Sequence, residues 1–186
     1  MTGDDSLIIQ RITGVVLVLA FVPLTLGIFL FMNRGGIQGG EPRSVAMFAL
    51  ERGSLIAAVV LTALGLVLFE KIFTDSGAAA FARLGAVTYL IGAVLLVAVE
   101  AMALPRGEYS YPLIVVYVVL ALLGQAAVGL ALIQSGFIAD WIGWVTLVWN
   151  LAFLFVLPLA TPKDMYYPFL HHLMPLLIGI SLLMRK

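Results

Sequence analysis

The chain has 186 residues, of which 63% are hydrophobic and only 11% charged, and its ten Lys and Arg balance ten Asp and Glu. Soluble domains carry about 25% charged residues. A water-soluble fold would therefore expose large apolar patches, and a chain this rich in burying residues is not disordered. Neutral balance and scattered basic residues exclude nucleic acid as a partner, and the absence of cysteine excludes disulfides, thiolate metal centres and cysteine nucleophiles. The partner that this composition predicts is the lipid bilayer.

A bilayer core of about 30 Å is crossed by roughly 20 mostly apolar residues in a helix. Apolar runs predict six such helices, about 13–32, 54–73, 83–104, 112–134, 139–160 and 166–184, in one domain covering 1–186. The expected fold class is all-α, a polytopic integral membrane bundle of six transmembrane helices. Membrane barrels need alternating apolar and polar residues, and Gly14-Val-Val-Leu-Val-Leu-Ala-Phe does not alternate.

The first span runs into Asn33-Arg-Gly-Gly and not into a small-residue cleavage site, so it reads as a membrane helix and not as a cleaved leader. Pro23 is expected to kink it. A flexible link follows, marked by Gly35, Gly36, Gly39, Gly40 and Pro42. Val45–Leu50 reads either as a surface turn of helix or as an extension of the second span. That span closes on Glu70 and Lys71, with Asp75-Ser-Gly77 as its breaker. The third admits Glu100 near its end and stops at Pro105-Arg-Gly107. The fourth carries Gln125 and stops at Ser135-Gly136. The fifth opens on Asp140-Trp141, carries Asn150 and stops at Thr161-Pro-Lys-Asp164. The sixth opens with Tyr166, Tyr167, His171 and His172, and Pro175 is expected to kink it. Basic residues are tallied equally on both faces, so orientation is not legible. The face on which the first span begins is called the N side, and the other the far side.

Polar residues inside spans are costly and are default candidates for function. Gln125 and Asn150 lie near the midpoints of consecutive antiparallel spans. The ordinary expectation for them is a direct interhelical hydrogen bond, worth about 0.6 kcal/mol; the sharper one is a polar lining for a solute path. On the far side, Glu51, Arg52, Glu100, His171 and His172 could meet at one depth, with Asn33 and Arg34 close by. Histidine titrates near neutrality, so this layer could respond to protons. A metal site is weaker, because adjacent helical residues point about 100° apart and His171 and His172 would diverge. Bis-histidine haem needs His on two helices, and only the last span has any. Interfacial anchoring is the ordinary alternative for Tyr, His and charged residues at that depth. Neither metal nor cofactor is expected.

Small residues recur at contact spacing. Ser54, Ala58 and Thr62 line the second span, Gly85, Thr88 and Gly92 the third, and Ala121, Gln125 and Gly129 the fourth. No His-Glu-x-x-His, serine elbow or phosphate-binding glycine loop occurs, so the reading leans away from an enzyme. Glu51-Arg-Gly-Ser-Leu and Leu132-Ile-Gln-Ser-Gly-Phe-Ile-Ala-Asp-Trp-Ile-Gly-Trp resemble stretches of small polytopic bacterial membrane proteins of unknown function. That resemblance implies a bacterial cell membrane and carries over no activity, ligand or site residue. The expected function is non-enzymatic, an accessory or scaffolding subunit working with other membrane subunits. The alternative is a small-solute or proton-coupled transporter using the far-side layer and the Gln125–Asn150 pair.

Overall fold

The computed structural model describes residues 3–33, 44–74, 76–106, 110–160 and 167–185. The link containing Arg34, the Asp75 breaker, Tyr109, the 161–164 stop and Tyr166 lie outside the described residues. Every regular element described is helical. The helices are α1 (Gly3–Leu19), α2 (Phe21–Asn33), α3 (Val45–Ile72), α4 (Ala79–Arg106), α5 (Tyr111–Ser135), α6 (Asp140–Ala160) and α7 (Leu173–Met184), with a 3₁₀ segment at Tyr167–His172 ahead of α7.

Local chemistry explains the boundaries. Pro23 lacks an N–H and crowds the carbonyl four residues back. The break between α1 and α2 falls there, at Ala20. Ser44 caps α3, its side chain accepting from the Met47 amide at 3.2 Å. Val45–Leu50 therefore extends the second span and does not form a separate surface turn. Gly136 ends α5 with φ 56°, the left-handed conformation that glycine adopts without strain, and its amide donates to the Leu132 carbonyl at 3.1 Å. Pro175 departs from expectation. It sits in the first turn of α7, where its missing N–H breaks no helical bond, and the residues before it are wound as 3₁₀. It starts a helix and does not kink one.

Counting α1 with α2, and the 3₁₀ segment with α7, the described residues form six rods. α4 packs along α5, α5 along α6, and α3 along α4; α1 lies against α3 and α7, and α2 against α3. Four stretches are long and apolar enough to cross a membrane: Ser6–Asn33, Val45–Ile72, Ala79–Ala103 and Tyr111–Ser135. The remaining apolar stretches, Asp140–Val156 and Leu170–Met184, are shorter.

Glycines set the closest approaches. A Cβ on Gly85 would lie 2.6 Å from the Gly124 carbonyl oxygen, and one on Gly129 would lie 2.7 Å from the Leu147 amide. Gly14 and Gly179 do the same between α1 and α7. Of the small residues expected at contacts, Gly85 and Gly92 join α4 to α5, and Gly129 joins α5 to α6. The core between the rods is aliphatic and aromatic, with Leu66, Phe69, Tyr89, Tyr117, Val128 and Leu132 closed from solvent.

Candidate functional site

The polar side chains of the expected far-side layer are turned inward. Arg52 is 1% exposed, Glu51 and Glu100 2% each, His171 1% and His172 3%. Apolar side chains occupy the outside of every helix, with Leu159 at 85%, Phe155 at 75% and Val94 at 61%.

The far-side residues fall into two groups. In the first, Arg52 near the start of α3 donates through Nη1 to both carboxylate oxygens of Glu100, near the end of α4, at 3.3 Å each. Its Nη2 donates to Oε1 of Glu51 at 2.5 Å. The Phe31 and Phe48 rings flank the guanidinium, their centroids 5.7 and 5.3 Å away. Arginine suits this place because its planar fork satisfies two carboxylates at once and stacks on aromatic faces. The triad joins α3 to α4 at the far side. At the other end of the same helix pair, Arg83 donates to Glu70 at 3.1 Å and Lys71 approaches Glu70 at 3.3 Å.

The histidines form the second group. His172 Nδ1 pairs with the Thr62 hydroxyl at 3.3 Å. Thr62 lies about ten residues further along α3 than Arg52, roughly 15 Å of helical rise. His171 Nε2 pairs with the Tyr117 hydroxyl at 3.3 Å. The 3₁₀ segment Tyr167–His172 precedes α7 and carries both imidazoles into the interior of the bundle. The expected divergence of the two rings fails. They stack with centroids 4.2 Å apart and planes 32° apart, both turned into the interior and each paired to a hydroxyl on a different helix. Tyr89 packs beside His171, with ring centroids 6.0 Å apart.

The mid-depth amides depart from expectation in the same way. Asn150 donates its amide to the Thr146 carbonyl of its own helix at 2.7 Å, so the direct Gln125–Asn150 bond does not form. A side chain four residues past a helical carbonyl reaches it with no interhelical adjustment, and this local bond wins. Gln125 Oε1 and Nε2, Thr146 Oγ1 and Asn150 Oδ1 are buried without a hydrogen-bond partner. Trp149, on the same helix, donates to the Leu170 carbonyl at 3.3 Å and stacks on Phe153, which ties α6 to the last rod.

Sequence reasoning missed Thr62, Tyr89 and Tyr117 as members of this interior. The spacing of Thr62 marked only a helix-contact stripe, and a tyrosine inside an apolar run resembles core packing. A sharper signal was available. Tyr and Thr placed deep in spans, away from the interfacial belt, require interior hydroxyl partners. Among the described residues no group of three or more His, Asp or Glu side chains converges to hold a metal ion. Comparison of the chain with protein-family models, curated proteins and solved structures yields no match.

Proposed function

We propose that the chain is a polytopic integral membrane protein, six spans in one domain, that acts without a catalytic centre of its own as an accessory or scaffolding subunit of a larger membrane assembly. The observation that carries this reading is the inverted distribution of polarity. Arg52, Glu51 and Glu100 are sealed inside, while Leu159, Phe155, Val94, Val22 and Phe29 face outward. Water penalises such a surface and lipid does not.

The way the interior charges are used supports a subunit over a carrier. Arg52 is committed to two carboxylates and two aromatic rings, the histidines are committed to Tyr117 and Thr62, and all of them are closed from solvent. Groups held in this way fasten helices together, whereas a path for a solute needs a face open to water on one side. The transporter alternative requires such an opening at Gln125 or Asn150, which are 1% and 0% exposed.

The test uses the full chain in its native membrane, with a photo-crosslinking residue placed at Val22 on α2, Val94 on α4 or Phe155 on α6. A subunit gives crosslinks to one membrane chain from one face and to lipid alone from the others. Lipid adducts at all three positions, together with a monodisperse monomer after extraction, would overturn the proposal.

A further inference from the structure

We infer that Gln125, Thr146 and Asn150 form an uncharged polar site inside the bundle, on the seam between α5 and α6, that holds a small neutral hydrogen-bonding molecule. Gln125 is 1% exposed, and Thr146 and Asn150 are 0% exposed. Four of their side-chain atoms, Gln125 Oε1 and Nε2, Thr146 Oγ1 and Asn150 Oδ1, have no partner among the described residues. A buried polar atom left unpaired costs on the order of 1–3 kcal/mol, and such atoms in native proteins are normally satisfied by another group or by internal water.

The helix register brings the three residues together. Gly129, one turn from Gln125, packs against Gly143 and Leu147 of α6 at backbone contact. Residues three, four or seven apart share a helix face. Asn150 therefore lies on the stripe of α6 that contains Gly143 and Thr146, and Gln125 lies on the facing stripe of α5. Gly124 packs directly on the Tyr89 backbone, so this seam lies at the depth of the Tyr89 turn of α4.

The donor set defines the guest. The seam offers two amide carbonyl acceptors, one amide NH₂ donor and one hydroxyl that can do either. It carries no formal charge, so neither an anion nor a cation finds a counterion there. A molecule with both donors and acceptors fits it: water as the smallest case, or a urea-like amide or short alcohol with the same hydrogen-bonding faces. This site lies outside the subunit reading and stands whether or not a partner chain exists.

The experiment observes the ¹⁵N-labelled side-chain amide of Gln125 by NMR in the full-length protein in detergent micelles, assigned by comparison with Gln125→Met. Magnetisation transfer from water to that amide, unchanged when urea is added, is expected if the guest is water. A saturable shift of the same resonance on urea titration identifies a solute-accepting site. Either result supports the inference. Transfer from the Asn150 side chain with neither water nor urea response would show a direct amide pair and overturn it. A rise in thermal midpoint for Gln125→Met would do the same, because deleting a dry, unpaired amide stabilises a core. A site that holds a guest loses stability in that variant.

Discussion

Removing Arg52 while leaving its two carboxylates is the most demanding perturbation of this structure. Arg52→Met keeps the length and apolar stem of the side chain but strands Glu51 and Glu100, each 2% exposed, with their shared guanidinium gone. Breaking a buried pair from one side costs about 3–5 kcal/mol. Domains of 150–250 residues lose roughly 2–4 °C of thermal midpoint per kcal/mol, so the expected fall is roughly 6–20 °C. Thermal unfolding in detergent followed by circular dichroism reads it directly. The companion variant Glu51→Leu/Arg52→Met/Glu100→Leu removes all three charges, and an apolar replacement of a buried triad is commonly neutral or stabilising, so it is expected to recover most of the loss. An internal control comes from the other end of the same helix pair. The Arg83 side chain is 68% exposed, and Arg83→Met is expected to cost under about 1 kcal/mol. If Arg52→Met and Arg83→Met lower the midpoint equally and by only a degree or two, the triad does not fasten α3 to α4 and the energetic argument for the sealed interior fails.

Val94→Arg places a charge on an outward position of α4 that is 61% exposed. It is expected to impair insertion by about 2.5–3.5 kcal/mol if lipid surrounds that helix, read as a falling fraction of alkali-resistant membrane protein; an unchanged fraction refutes a lipid-facing α4. Gly85→Ala forces a methyl to within 2.6 Å of the Gly124 carbonyl oxygen, an overpacking expected to destabilise by about 1–3 kcal/mol in the same unfolding assay. Gly53→Ala, which meets nothing within 4 Å on α3, is expected to stabilise by up to about 1 kcal/mol. Equal effects of the two alanines would mean that the α4–α5 approach is looser than described.

How much was legible in the sequence varies with the range of the interaction. The Arg52–Glu100 pair could be anticipated because it needs only two helix ends at the same face, which the run lengths place there. Gly85 and Gly129 could be anticipated because small-residue spacing is local. The Gln125–Asn150 bond was a sound expectation about depth, but depth does not choose a rotamer. The Thr146 carbonyl is a nearer acceptor for the Asn150 amide, and only coordinates reveal that competition. The partners of the histidines were not legible for a different reason. The direction of each imidazole depends on the 3₁₀ winding ahead of α7, and Pro175 opens that helix where a kink was expected.

The vertical order of polarity bears on which solvent the helices meet. In a water-soluble bundle, the cost of burying a side chain depends on its distance from the nearest surface, whether at a helix end or on an outer face. In a slab of lipid the cost rises toward the middle, steeply for ions and less so for amides and hydroxyls. Here Arg52 and Glu100 lie within the first or last two or three turns of α3 and α4, and Glu70 and Arg83 lie near their opposite ends. Thr62, Tyr89, Gln125 and Asn150 occupy the middle turns. Charge toward the helix ends and neutral polarity at the centre, beneath an outer surface rich in apolar side chains, is an order that a slab of lipid would favour. The same order explains why the interior could recruit Tyr117 and Thr62 for the histidines. In the interior a hydroxyl satisfies an imidazole nitrogen without burying a second charge.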